Sequence, residues 1–214
     1  MAQMICISYL PWQNTPFRTQ RLVTHLPDME TLFFQPAIGQ PASSEGIHVL
    51  PNLTVYTLPA SLFSQDLRPR TIRRGIELIK QQMENNGFEE PLLWACTPIA
   101  ALLLDDIPHH GLIYDCDRFW HHLPVTLESN LAYQADLILT ASQGLEERLS
   151  LCNDNIAQIP WGTDVGLYAS MEQERLPIPP DFEAICTRGP VFGYLGAVEH
   201  RLNLNPVLSA AAAH

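Results

Sequence analysis

The chain has 214 residues, 46% hydrophobic and 16% charged, a composition that can fill a core and excludes a disordered chain. The length allows one domain or two. The formal net charge of −11 argues against a general nucleic-acid binder.

Met4 to Ser8 is an apolar run and predicts a buried first strand. No basic stretch precedes it, so a secretory signal is not expected. No run of about 18 apolar residues exists anywhere, so no membrane-spanning helix is expected. A cytoplasmic setting is the expectation. Phe17 to His25 predicts a helix that Pro27 ends. Thr31 to Gln35 predicts a second strand, and His48–Leu50 with Leu53–Thr57 a small hairpin around Pro51-Asn52. Pro69 to Asn85 predicts a helix with Ile72, Ile76, Ile79 and Met83 on one stripe, Pro69 at its start and Asn86-Gly87 at its stop.

A regular rhythm follows. Leu92–Cys96, Leu112–Asp115, Asp136–Thr140 and Ile156–Ile159 predict strands. Pro98–Leu104, Thr126–Gln134 and Ser142–Leu151 predict the helices between them. Thr140 and Gln143 stand at capping-box spacing, and Ser142 is placed to cap the last helix. Continuous apolar strands alternating with amphipathic helices imply a parallel sheet covered on both faces. The expected fold is α/β, a doubly wound, mostly parallel Rossmann-like sheet over residues 1–170. A proline-rich linker is expected over 171–190. Val191–Leu195 and Pro206–His214 then predict the first strand and helix of a second α/β unit. The five cysteines, Cys6, Cys96, Cys116, Cys152 and Cys186, are dispersed without CxxC spacing and read as free core thiols.

In open parallel sheets, ligands bind beyond the carboxyl ends of the strands. After the first strand comes Tyr9 to Pro16, with no G-x-G-x-x-G fingerprint, which disfavours a dinucleotide cofactor. Trp12 in this loop is either a stacking platform for a sugar or base, or packing against the first helix. Arg18 and Arg21 either face an anionic substrate or are solvated surface. The strand that ends in Asp115 leads into Cys116-Asp117-Arg118-Phe119-Trp120-His121-His122. Asp115, Asp117 and His121 form the candidate catalytic set, with Asp115 the first choice for a base. The structural alternative is that Asp115 caps a helix or pairs with Arg118. Adjacent histidines diverge on a helix, so a two-His metal site is not expected; Asp115 with His121 or His122 is the alternative metal set, at a spacing that matches no strong motif. There is no G-x-S-x-G elbow and no phosphate-binding G-x-x-x-x-G-K-[ST] loop. Five of the twelve basic residues crowd into Arg68 to Lys80. Arg70, Arg73 and Arg74 either touch an anionic membrane or form a solvated helix face.

The order of these blocks resembles the retaining GT-B glycosyltransferases, in particular those of cell-envelope and exopolysaccharide synthesis. Pro160-Trp161-Gly162-Thr163-Asp164 is similar to that family's P-N-G-V-D block, and Ala135-Asp136-Leu137-Ile138-Leu139-Thr140-Ala141-Ser142 to its A-D-x-[IV]-x-x-x-S segment. Leu112 to Asp117 resembles a Y-D-C-x-D block, and Gly193-Tyr194-Leu195-Gly196 the G-Y-x-G strand that opens the donor domain. The resemblance implies transfer of a hexose from a nucleotide-sugar to a glycan or lipid-linked acceptor, without metal or cofactor, in a cleft between two domains. It implies an acceptor near Trp12, Arg18 and Arg21, and a donor near Gly196, with Arg201 neutralising the leaving diphosphate. The strand that ends at Asp115 matches where many relatives carry a sugar-contacting His. Departures are Trp161 for Asn, Ala197 for Arg, and an E-x7-E donor motif that would fall beyond residue 214. The chain by itself is therefore expected to be inactive, a truncated half of a cytoplasmic enzyme that is peripheral at the inner face of the plasma membrane. The alternatives are a carbohydrate-binding module, a split partner of a separate donor chain, or an inactive remnant.

Overall fold

The computed structural model describes residues 1–12, 16–39, 41–64, 67–173, 177–186, 191, 193–196, 198 and 202–213. It divides into two compact units, Met1–Gly162 and Thr163–His214.

The first unit is one eight-stranded sheet. Its strands are β1 (Ala2–Ile7), β2 (Met29–Pro36), β3 (Ile47–Leu50), β4 (Leu53–Leu58), β5 (Leu92–Ala95), β6 (Gly111–Cys116), β7 (Leu137–Thr140) and β8 (Ile156–Gln158). The order across the sheet is β3-β4-β2-β1-β5-β6-β7-β8. All neighbours pair in parallel except β3 with β4, which form the expected antiparallel hairpin at one edge.

Along the six inner strands, residues facing opposite ways enter two different cores, which is why these strands read as continuous apolar runs. Ile5, Ile7, Leu32, Phe34, Leu93, Ala95, Leu112 and Tyr114 face one side. There they meet helix α2 (Pro69–Asn85) through Leu78, Ile79 and Met83, α3 (Val125–Gln134) through Leu131 and Ala132, and α4 (Gln143–Leu149) through Leu145 and Leu149. Met4, Cys6, Phe33, Val55, Trp94 and Cys96 face the other side, where α1 (Arg18–Thr24) supplies Val23. Phe34 and Tyr114 are fully buried. Truncating either to alanine costs about 3–5 kcal/mol on the usual scale for large core aromatics.

The two ends of α2 follow from local chemistry. Pro69 fills the first turn, where a missing N–H costs nothing. At the other end Gly87 has φ 70°, Phe88 N donates to Met83 O at 2.8 Å, and Gly87 N donates to Glu84 O at 3.2 Å. This is a Schellman stop, and it needs a residue at ease in the left-handed region. At α4, by contrast, Ser142 occupies the cap position but its side chain accepts no backbone bond. The Thr140–Gln143 capping box is not made, because the helix starts two residues too late for Thr140 to cap it.

The second unit contains α5 (Val165–Gln173), α6 (Pro180–Cys186) and α7 (Leu204–Ala213). Helix α5 was not expected. Val191, Gly193, Tyr194 and Leu195 do not form the expected strand. An extended apolar segment becomes a strand only beside another strand, and among the described residues all eight strands belong to the first unit. Helix α5 straddles the boundary expected at residue 170, α6 lies within the segment expected as a linker, and α7 lies over the helix expected at Pro206–His214.

Candidate functional site

The strand order reverses direction at β1. Strands β2 and β4 follow on one side, and β5 to β8 on the other. The loops that leave β1 and β5 diverge at that point and open a crevice at the carboxyl edge. A cavity of about 240 Å³ lies there. Its lining includes Tyr9 and Leu10 after β1, Thr97 after β5, and Arg118, Trp120 and His122 after β6, with Phe63 among its apolar walls.

The walls of this cavity are cross-braced. The Ser8 hydroxyl both accepts from Leu10 N–H (3.1 Å) and donates to Leu10 O (2.8 Å), which makes a tight turn after β1. That turn sets the Tyr9 ring edge-on to Trp120, centroids 4.9 Å apart and planes at 89°. The Tyr9 hydroxyl donates to Asp117 Oδ2 at 2.6 Å. Arg118 Nε donates to Asp117 Oδ1 at 3.2 Å, and its guanidinium lies 4.3 Å above the Tyr9 ring. Burial first, and then the Asp117 charge, push the Tyr9 phenol far above its usual value, so it stays a donor.

Behind this wall, on the α1 face of β6, Asp115 is engaged by Arg18. Arg18 Nε and Nη2 both donate to Asp115 Oδ1, at 3.1 and 3.0 Å, and the side chains are only 3% and 1% exposed. Arg18 Nη1 donates to the carbonyls of Ile159 and Pro160, just after β8. Asp115 Oδ2 is buried without a hydrogen-bond partner. Burial raises the Asp115 pKa, and Arg18 lowers it only in part. The pairing considered between Asp115 and Arg118 is thus corrected: Asp115 pairs with Arg18, and Asp117 takes Arg118. The reason is the pleat, which turns Asp115 towards α1, whereas Asp117 lies past the strand end.

On the opposite face of β6 stands a second charged group. Glu128 of α3 accepts from the Tyr114 hydroxyl at 2.8 Å and from Arg148 of α4 at 2.6 and 2.7 Å. Arg148 lies 5.2 Å from the Phe119 ring centre, and Phe119 stacks on His121 at 5.6 Å. The segment 119–122 therefore alternates: Phe119 associates with Arg148 and His121, while Trp120 and His122 line the cavity.

The remaining sequence candidates are dispersed. Trp12 is half-buried, edge-on to Phe33 at 5.1 Å, and its backbone N–H donates to Gln35 Oε1. Arg21 is exposed at the end of α1. Arg70, Arg73 and Arg74 are exposed on α2, with Arg74 3.5 Å from Glu77. Gly196 belongs to the second unit, and Arg201 lies outside the described residues. Cys6 and Cys96 are buried with sulfurs 3.9 Å apart, and burial holds the Cys96 thiol well above its usual value. Burial likewise pushes Cys116 up to about 12. Among the described residues no three His, Cys, Asp or Glu are grouped to hold a metal ion, and no helix is long and apolar enough to cross a membrane. Sequence reasoning missed Tyr9, Thr97, Trp120 and His122 as lining groups. The one available pointer was their position just past predicted strand ends.

No family model and no curated protein matches the sequence. Solved structures do match. A sucrose-phosphate synthase from Thermosynechococcus elongatus aligns with TM-score 0.57 and 15% identity, over 83% of this chain and 53% of that one. The fold is that of a GT-B Rossmann-like domain. An E. coli trehalose-6-phosphate structure bound with UDP-2-fluoro glucose aligns with TM-score 0.57 and 11% identity, over 87% of this chain and 54% of that one. A shorter form of the T. elongatus synthase is matched over 99% of its length, with TM-score 0.50 and 15% identity. The chain thus spans about half the length of the two longer GT-B neighbours.

Proposed function

We propose that this chain is the acceptor-side half of a glycosyltransferase that moves a sugar from a nucleotide-sugar to a glycan or lipid-linked acceptor. The observation that carries the reading is the cavity at the point where the sheet order reverses, lined by Tyr9, Arg118, Trp120 and His122. Aromatic edges supply apolar contact for a sugar ring, and the surrounding donors meet its oxygens. The E. coli neighbour carries a nucleotide-sugar analogue, which fits a shared reaction class. In this reading Asp117 fixes Tyr9 and Arg118 through its two oxygens. Asp115 is a positioning residue rather than the base, since Arg18 and burial occupy it. Gly196 and Arg201 belong to the donor side, where Arg201 neutralises the departing diphosphate and replaces a metal. Exposed Arg70, Arg73 and Arg74 hold the protein against anionic lipid at the cytoplasmic face.

The test is nucleoside diphosphate release by the protein isolated from its source, incubated with a panel of nucleotide-sugars and membrane-derived acceptors. Acceptor-dependent release that persists in EDTA is expected. Absence of release from every nucleotide-sugar overturns the reading. For the lipid contact, co-sedimentation with vesicles should require anionic lipid and weaken in an Arg70→Gln, Arg73→Gln, Arg74→Gln variant. Equal pelleting with neutral vesicles would remove that part alone.

A further inference from the structure

The outer face of α2 carries charges that the chain itself leaves largely unpaired. Arg73, Glu77, Lys80 and Glu84 are all exposed and alternate in sign along the helix. At about 3.6 residues per turn the four fall within about 60° of one another, so they make one stripe. Arg74 reaches Glu77 at 3.5 Å, with the two side chains 59% and 56% exposed, which makes it a weak surface pair. Arg73, Lys80 and Glu84 have no ion-pair partner among the described residues.

The stripe borders a groove. Two cavities of about 490 and 360 Å³ lie along it and share Lys80 as a lining residue. Half-buried Ile72 and Ile76 supply apolar surface in the first, and buried Met83 and Phe88 in the second. Asp106 and Pro108, from the segment before β6, form the far bank.

The order of the charges selects the occupant. Arg73 and Glu84 stand at equal distances on either side of a midpoint between Leu78 and Ile79, and so do Glu77 and Lys80. The members of each pair are opposite in sign. A second α2 running antiparallel about that midpoint therefore sets Arg73 of each copy level with Glu84 of the other, and Glu77 level with Lys80. Every one of these contacts is attractive. A parallel α2 in the same register would set like charge against like at all four positions. A twofold interface requires a surface that complements itself, and this stripe meets that condition.

We propose that this face joins two copies of the chain, with α2 of each lying antiparallel in the groove of the other. The apolar floor supplies the affinity, and the charge order fixes direction and register. One helix pair is a small interface, in the class of weak contacts below about 1,200 Å². The expected state is therefore a monomer–dimer equilibrium that salt weakens. Arg70 and Arg74 are not among the lining residues of the groove, so Arg73 is the residue shared with the lipid contact proposed above. The inference does not depend on the sugar-transfer reading.

The test is sedimentation equilibrium of the 214-residue chain without lipid, over a series of concentrations. A species of twice the 24.1 kDa chain mass should grow with concentration. Raising the salt from about 0.05 M to about 0.5 M should weaken it about tenfold. Arg73→Glu with Lys80→Glu makes the stripe acidic throughout, and Glu77→Lys with Glu84→Lys makes it basic throughout. Either double variant alone should be monomeric at an unchanged melting temperature, since the four side chains are exposed. An equimolar mixture of the two variants should form a heterodimer at least as tight as the wild-type pair. A wild type that stays monomeric at every concentration overturns the inference; if it then pellets with anionic vesicles and Lys80→Gln prevents this, lipid is the occupant instead. A dimer that both variants keep also overturns it, since the contact would then lie elsewhere on the chain. Variants that stay monomeric in the mixture as well would overturn the antiparallel pairing.

Discussion

Strand β6 carries an arginine–carboxylate pair on each face, and the two are built to different plans. Arg148 and Glu128 meet oxygen for nitrogen, at 2.6 and 2.7 Å, with the arginine side chain 32% exposed. Arg18 and Asp115 are almost fully enclosed, yet Arg18 spends two nitrogens on one oxygen and its third on backbone carbonyls beyond β8. The first pair has the bidentate geometry that makes charged contacts strong. In the second, burial outweighs what Arg18 and the nearby Trp94 indole return to the Asp115 carboxylate, so it is weak ground for stability. What it secures is geometry: α1, β6 and the segment leading out of β8 are held at one guanidinium. Arg118 extends the series. It is the most exposed of the three, bonds a carboxylate through Nε alone, and keeps its terminal donors for the cavity. Of these three, Arg118 is the one whose terminal nitrogens carry no hydrogen bond among the described residues.

The largest effect should come from removing Arg18. Arg18→Ala leaves a carboxylate buried at 1% exposure without its counter-charge, and denaturant unfolding should show a loss of about 3–5 kcal/mol. A loss under about 1 kcal/mol would break the contrast. Arg148→Ala should cost less, about 1–3 kcal/mol, because Glu128 keeps the Tyr114 hydroxyl and water can reach the site. If Arg148→Ala proves the more damaging variant in the same assay, the two pairs have been ranked wrongly.

The pH dependence sharpens the contrast at Asp115. Burial outweighs Arg18 and raises its pKa, so the native state holds this proton more tightly than the unfolded chain. The stability due to the protonated form is fully present below the unfolded value of about 3.9 and is lost as pH rises through the raised native value. The stability of the wild type minus that of Asp115→Asn should therefore fall as pH rises from about 4. A flat or rising difference would mean that Arg18 wins over burial. The smallest effect should come from replacing both partners, Arg18→Met with Asp115→Leu. This should return stability to within about 1 kcal/mol of the wild type, while hydrogen exchange at the Ile159 amide, which donates to Thr140 O, speeds up as the carbonyl contacts vanish.

The parallel sheet and helix α2 were legible because their information is local. Apolar runs specify strands buried on both faces, and Pro69 with Gly87 brackets α2 by backbone chemistry alone. The site was not local. Arg18 and Asp115 are 97 residues apart, and Tyr9 and Asp117 are 108 apart, so nothing near Arg18 distinguishes a buried latch from a solvated helix turn. Which of His121 and His122 lines the cavity was not legible for a related reason. Segment 119–122 is neither helix nor paired strand, so no period told which of two adjacent imidazoles lines the cavity. Val191 to Leu195 shows the converse: an apolar run reads as strand, but strand is a property of two segments, and the partner is not written in the run.

The central claim is that a sugar enters the crevice between the ends of β1 and β5. The most direct measurement is the indole N–H spectrum of the 15N-tryptophan-labelled chain, titrated with a panel of monosaccharides, with Trp120→Phe assigning the Trp120 resonance. Four tryptophans report from separate places: Trp12 against Phe33, Trp94 in the core, Trp120 at the cavity and Trp161 exposed near the end of the first unit. The account predicts a saturable shift of Trp120 while Trp94 and Trp161 stay still. Sugar binding that leaves Trp120 unmoved, or a titration that moves no indole, would contradict it.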